Sequence, residues 1–186
     1  MTVNDAPVLP EQARYAILLN HKERGMYTPI LATLGFILSP DGKKILLIHR
    51  NRRKDDHHFG KYNGLGGKLQ PGEDIFQCLQ REVYEEAGIH CEEAVLRGTI
   101  NWQGFGGKEE NWFGFIFLIR SFSGEPKQSN EEGDLAWKFV DDMEHLNMWE
   151  GDKFFLPLVF DSDPRIFHGH MPYKNGGPVG WSYSRV

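Results

Sequence analysis

The sequence predicts an α/β domain, a mixed β-sheet sandwiched between α-helices in an α/β/α arrangement. Three observations predict it. Apolar, β-branched runs recur at 30–38, 44–49, 93–102, 111–121 and 135–140, which is strand chemistry. Between them, Phe76, Leu79, Val83 and Ala87 recur at helical spacing and make an apolar stripe. Strands interleaved with a few helices fit helical layers packed on a sheet.

Taken in order, residues 1–26 read as an N-terminal arm and 27–186 as one domain. Residues 1–12 are polar, with two prolines, and are expected to be partly disordered. Residues 13–27 fit either a short helix or a strand. The runs at 30–38 and 44–49 are separated by Ser39-Pro40-Asp41-Gly42, a hairpin signal. Pro71-Gly72 is a turn. Asp74 stands where an N-cap would, and Gln77 three residues later matches a capping-box partner. Gly88 is placed as the glycine that ends this helix. The strands at 93–102 and 111–121 are joined by a glycine-rich connection at Gly104–Gly107. Trp112, Phe113 and Phe115 alternate in the second of them and are expected in the core. Asp141–Leu146 opens a short helix and Phe154–Phe160 a second. The tail alternates through Phe167, His168, Met171 and Tyr173, turns at Asn175-Gly176-Gly177-Pro178 and returns through Trp181 and Tyr183, a final hairpin. His168 and His170 read as one face of a strand rather than a metal pair.

A chain of 186 residues is long enough to bury a full core. The net charge of −5 offers no basic footprint for nucleic acid, so no stable nucleic-acid binding is expected. Cys78 and Cys91 are the two cysteines and imply no disulfide framework. No run reaches transmembrane length, and the N-terminus lacks signal-peptide regions. A cytoplasmic location is expected, as a monomer or homodimer.

Glu82, Glu85 and Glu86 are spaced by three and four residues, which on a helix puts them on one side about one turn apart. At roughly 100° per residue they lie beside the apolar stripe, at the edge of the core. Clustered carboxylates repel one another and call for a cation. Hard oxygen ligands select Mg²⁺, with Mn²⁺ as substitute. Arg81 and Glu85 form an i, i+4 pair that can orient a ligand carboxylate.

These residues belong to a longer pattern, Gly67, Glu73, Arg81-Glu82-Val83, Glu85-Glu86, Gly88-Ile89. It resembles the box of the Nudix hydrolases, which cleave a nucleoside diphosphate linked to another group. The resemblance implies the Nudix fold with a catalytic loop–helix–loop. It implies Mg²⁺ held by Glu82, Glu85 and Glu86 with the Gly66 carbonyl. It makes Arg81 part of the catalytic set and Gly67, Glu73 and Gly88 structural in the motif, Glu73 either supporting the loop or serving a second metal. Glu132, ahead of Trp137, matches the place of a further glutamate, a ligand or general base; its neighbour Glu131 is the alternative.

Outside the box, Lys61–Lys68 (KYNGLGGK), Asn147–Leu158 (NMWEGDKFFLPL) and Phe167-His168-Gly169 look like the branch that hydrolyses oxidised purine nucleoside triphosphates, the 8-oxo-dGTP diphosphatases. That resemblance implies a small-molecule nucleotide substrate. Asn63 and Asp152 read the base edge, Trp149 stacks on the base, and Gly67 and Lys68 meet the substrate. Where mammalian members carry a second aspartate this chain has Gly151. Each residue also has a plainer reading: Asn63 as a turn cap, Trp149 as a packing aromatic, Asp152 as the N-cap of the 153–160 helix. Arg50, Arg52, Arg53, Lys54, His57 and His58 form a basic loop, either solvated or reaching the triphosphate. The rival functions are hydrolysis of nucleoside diphosphate sugars or dinucleoside polyphosphates and, from another class, nucleotide binding without turnover.

Overall fold

The computed structural model describes residues 26–186. Most of the N-terminal arm, and so the expectations for it, lies outside the described residues. The elements are β1 (Ile30–Leu38), β2 (Lys44–His49), β3 (Tyr62–Asn63), α1 (Ile75–Ala87), β4 (His90–Phe105), β5 (Glu110–Ser123), β6 (Asp134–Phe139), a 3₁₀ turn (Val140–His145), α2 (Asp152–Phe160), β7 (Phe167–Lys174), β8 (Gly177–Pro178) and β9 (Ser182–Arg185). They make one mixed sheet in the order β3-β2-β1-β5-β4-β7-β8, with β6 on β2 and β9 on β7. β1 runs parallel to β5 and β4 parallel to β7; the other pairs are antiparallel.

The long apolar runs follow from two covered faces, since strands buried on both sides need not alternate. Phe36, Ile45, Leu47, Ile116 and Leu118 pack in the cluster that holds Phe155, Leu156 and Val159 of α2. Their neighbours Ile37, Leu46, Phe117 and Ile119 pack in the cluster that holds Leu79, Val83 and Ala87 of α1. One helix therefore covers each face, as the α/β/α expectation required.

Several boundaries differ from the sequence expectation. β4 begins at His90 and runs through Phe105, past Gly104, so the connection to β5 is the tight turn after it, where Glu109 N–H donates to the Gly106 carbonyl at 3.1 Å. The two-residue β3 is too short to show a period. Asp141–Leu146 corresponds to the 3₁₀ turn, and the second helix starts two residues earlier than Phe154. Trp112, Phe113 and Phe115 are only half-buried.

One irregularity builds the site. β2 pairs with β1 only at Ile37–Leu38. Below that the two strands part, and the glycine-rich segment 64–69 lies along β1 instead. Leu65 and Gly35 exchange backbone bonds at 2.6 and 2.9 Å, Thr33 N–H donates to the Gly67 carbonyl at 2.9 Å, and Leu69 N–H donates to the Leu31 carbonyl at 2.9 Å.

Candidate active site

The glycines of that segment are required by close approach. Gly66 has φ +149°, and a Cβ there would overlap the Thr33 carbonyl. A Cβ at Gly67 would overlap the Glu82 carboxylate. Lacking side chains, the loop presses between β1 and α1, and Glu82 stands directly against it.

The start of α1 sets how its glutamates face. Asp74 Oδ1 accepts from Phe76 and Gln77 N–H at 2.8 and 2.9 Å, and Gln77 Oε1 accepts from Asp74 N–H at 2.9 Å. This is the expected capping box. Gly88, at φ 74°, closes the helix by donating to the Tyr84 carbonyl. Between these ends Glu86 accepts from Gly66 N–H at 2.9 Å. Glu85 is on the outer side, its side chain 58% exposed.

Burial pushes the Glu86 carboxyl up to about 8, and the charges of Glu132 and Glu82 add to it, while Gly66 N–H and Arg50 oppose. Like charges raise one another's pKa only when close, and Glu86 and Glu132 line the same cavity. Two arginines are their counterions. Arg81 donates to Glu73 at 2.9 and 2.7 Å, to Glu82 at 2.7 Å and to Glu85 at 3.3 Å. Arg50 grips Glu132 and, through Nε at 2.9 Å, Asp56. Glu73 also accepts from Gln70 N–H at 2.7 Å, which ties it to the loop. With the acids turned to arginines, no cluster of three acidic, histidine or cysteine side chains among the described residues is closed round an ion. The donor set is nevertheless all oxygen, acidic and partly desolvated, which suits a hard divalent cation.

Glu132 and Glu131, indistinguishable as neighbours in the sequence, part company here. Asn130 Oδ1 accepts from the N–H groups of Glu132 and Gly133 at 2.8 and 3.1 Å, and Asn130 Nδ2 donates to the Glu86 carbonyl at 3.3 Å. That turn brings Glu132 to Glu86, while Glu131 is 89% exposed and paired with Arg53.

A cavity of about 470 Å³ joins this acidic end to an aromatic one. Glu86, Glu132, Gly66, Gly67 and Lys68 line one part of it, and Asn63, His58, Trp149 and Asp152 another. Asn63 is fixed by β3, paired with Ile48 of β2. Trp149 Nε1 donates to His58 Nδ1 at 2.9 Å, and Lys61 Nζ lies 4.6 Å above the indole ring. Burial pushes the Asp152 carboxyl up to about 7, against Trp149 backbone and Lys61. A second cavity, about 590 Å³ between the 3₁₀ turn and α2, is lined by none of the candidate catalytic, metal-binding or substrate-binding residues, although Met148, Lys153, Leu156 and Pro157 come from the Asn147–Leu158 segment.

A family model for the NUDIX domain matches residues 28–159. The chain belongs to the Nudix family. Among its relatives are the oxidized purine nucleoside triphosphate hydrolases of Danio rerio, 32% identical over 80% of this chain and 90% of that one, and of Mus musculus, 31% identical over 86% and 96%. The crystal structure of a MutT protein from Bacillus halodurans superposes with a TM-score of 0.71 at 26% identity, covering 83% of this chain and 97% of that one. The protein is thus a MutT-like Nudix hydrolase, of a family that generally uses divalent metal ions.

Against the sequence expectations for this Nudix chain, the structure makes four corrections. Asp152 is the first residue of α2, not its cap; Gly151 holds the cap position and no side chain caps the helix. Trp112 lines the cavity rather than the core, with Lys68 Nζ 5.1 Å over its ring. The basic loop is largely spent on acids: Arg52 pairs with Asp134 and Arg53 with Glu131, leaving Arg50 as its arginine in the cavity wall. His58 is not one of its cations, because burial and Arg50 push its imidazole down to about 4. At Gly151, a Cβ would overlap the Tyr173 hydroxyl, so Tyr173 occupies the space a second aspartate would need. His168 bonds Thr99 at 2.9 Å on a strand face, as expected. Both cysteines are free and buried. No helix among the described residues is long and apolar enough to cross a membrane.

Proposed function

We propose that this Nudix hydrolase cleaves purine nucleoside triphosphates, oxidised ones such as 8-oxo-dGTP among them, to the monophosphate and pyrophosphate. The observation that carries the reading is the single cavity with acids at one end and Asn63, Trp149 and Asp152 at the other. A triphosphate needs the first end and a purine the second. The activity for which the fish and mouse relatives are named, hydrolysis of oxidized purine nucleoside triphosphates, agrees with it.

Trp149 stacks on the base, and Asn63 and Asp152 read its edge. Lys68 meets the phosphates at the glycine loop. Glu82, Glu85 and Glu86, with the Gly66 carbonyl, would hold Mg²⁺, or Mn²⁺ in its place. Bound there, the cation supplies neutralisation of phosphate charge and a more acidic water. Glu132, beside Glu86, is a further ligand or the base that takes the proton as water oxygen bonds to phosphorus and the anhydride oxygen leaves with pyrophosphate. Arg81 holds Glu73, Glu82 and Glu85 in register. Glu73 acts through this grip and its bond to the loop. The site is expected to work in solution on a free nucleotide.

The test is kcat/KM across 8-oxo-dGTP, dGTP, GTP, ADP-ribose, a UDP-sugar and a dinucleoside tetraphosphate, each with Mg²⁺. Highest values for 8-oxo-dGTP, with monophosphate and pyrophosphate as products, are expected. A preference for the sugar diphosphate or the tetraphosphate would overturn the purine triphosphate assignment and leave the chain a Nudix hydrolase of another substrate.

A further inference from the structure

Asn63 and Trp149 both end on one atom of a third side chain. Asn63 Nδ2 lies 3.1 Å from His58 Nδ1, and Trp149 Nε1 lies 2.9 Å from the same nitrogen. An indole N–H donates and cannot accept. His58 Nδ1 therefore carries a lone pair, and a neutral ring has its proton on Nε2. This settles the neighbouring amide as well. A flipped Asn63 would set Oδ1 against the Nδ1 lone pair, acceptor facing acceptor, so Nδ2 must be the atom that meets His58. The amide is oriented by its partner. Its Oδ1 is then left buried and without a hydrogen-bond partner among the described residues, in a side chain that lines the cavity. His58 is in turn placed by the loop: its N–H donates to Asp56 Oδ1 at 3.0 Å, and Arg50 holds the other oxygen of that carboxylate.

We propose that His58 is a positioning residue for base selection, which ties down Asn63 Nδ2 and presents Oδ1 as a dedicated acceptor, so that the pocket favours a guanine-type edge over an adenine-type one. The proposal rests on the purine triphosphate reading above. An unrestrained asparagine reads adenine with both ends of its amide, one donating and one accepting. Turning to do so here costs the bond to His58. A guanine edge offers adjacent N1–H and N2–H donors to an acceptor, so Oδ1 meets it with the amide left where it is. A base with no donor at that place leaves a buried acceptor unpaired, which is how polar sites reject ligands most strongly. The sequence showed His57-His58 only as part of a charged loop. The contact that gives His58 this role spans 91 positions, from Trp149.

The test has two arms on the full chain. Long-range ¹H–¹⁵N correlation spectra of the free protein at neutral pH read the imidazole tautomer. A proton on Nε2 with Nδ1 bare is expected, and a proton on Nδ1 overturns the proposal, whether or not any variant folds. In the second arm, kcat/KM for dGTP and dATP is measured for the wild type, His58→Ala and His58→Gln. His58→Ala should lower the dGTP-to-dATP ratio at least about fivefold, mainly through KM. His58→Gln, whose Oε1 can accept as Nδ1 does, should restore part of it, which loss of mere packing would not. An unchanged ratio in His58→Ala overturns the proposal. Turnover of none of dGTP, dATP and 8-oxo-dGTP by the wild type would overturn the purine reading and this proposal with it, whereas the wrong tautomer would overturn this proposal alone.

Discussion

Trp149 is held by a hydrogen bond at its Nε1, a lysine over its face and the ring of His57 at 4.8 Å, so the indole is set before any base arrives. Stacking on a base is worth about 1–3 kcal/mol by alanine substitution. Trp149→Ala should therefore raise KM for dGTP at least about fivefold and move kcat by less than about threefold; steady-state kinetics check it, and an unchanged KM would remove Trp149 from the base site. Glu82 belongs to the other end. It abuts Gly67 and is paired with Arg81 at 2.7 Å. Glu82→Gln keeps the shape and one acceptor but removes the charge a cation needs. It should fold with unchanged circular dichroism and lose at least about a hundredfold in kcat, and near-normal turnover would sink the assignment of the acidic end. At this scale the sequence was legible wherever a residue sat in a spaced pattern. Of the box glutamates Glu86 lines the cavity, as do Asn63, Trp149 and Asp152, while Glu85 stays on the outer side. It was not legible where a role comes from a contact between distant segments. His58 looked like a cation because its neighbours in the chain are basic, yet its neighbours in space bury it. Asp152 looked like a cap because it precedes Phe154, yet its own N–H donates to the Trp149 carbonyl at 3.0 Å, and it stands one residue too far in for that role, after Gly151.

Among elements, α1 was the most legible, since its stripe, both caps and its acidic face are all local in sequence. The strands were legible as apolar runs, but their ends were not, because a run buried on both faces has no period to stop it. Least legible was the 64–69 segment, which reads as a glycine-rich loop and behaves as a partner for β1, bonding it at Gly35, Thr33 and Leu31. That pairing depends on β2 leaving β1 early, which no local residue announces. Because α1 and this loop meet at Glu82 and Glu86, the helix start should matter beyond its own turn. Asp74→Ala removes the acceptor of two backbone N–H groups and leaves the Gln77 half of the box alone. A lost N-cap costs about 1 kcal/mol, and in a domain of this size each kcal/mol shifts Tm by about 2–4 °C. Calorimetry should show a drop of that order, and an unchanged Tm would mean that packing of Leu79 and Val83 alone fixes where the helix begins.

For the whole molecule, the two-sided sheet explains how a protein can carry a concentrated charge conflict. Both faces are closed by apolar packing, α1 on one and α2 on the other, so the stability of the fold does not depend on the cavity edge where Glu82, Glu86 and Glu132 crowd. That edge is instead a cost, which a bound cation would relieve. Burial and the neighbouring charges place the Glu86 carboxyl at about 8, above its ordinary 4.5. A raised carboxyl binds its proton in the folded state more tightly than in the unfolded one, so its contribution is fully present below about pH 4.5 and is lost as pH rises through about 8. Without metal, Tm should therefore fall across this window more steeply in the wild type than in Glu86→Gln, which has no proton to lose. Mg²⁺ or Mn²⁺ should reverse the fall, because a ligand that binds only the folded state stabilises it, by about 2.7 kcal/mol at a hundred times its Kd. That corresponds to a rise in Tm of about 5–11 °C in a domain of this size. The rise should be larger at pH 8 than at pH 6, since the cation competes with the proton for the same oxygens, and it should shrink in Glu86→Gln. Differential scanning fluorimetry of both proteins, with and without Mg²⁺ or Mn²⁺ across that pH range, checks all of these signs together. A metal shift that is the same in Glu86→Gln as in the wild type would place the cation elsewhere and leave the buried carboxyl without a partner for its charge.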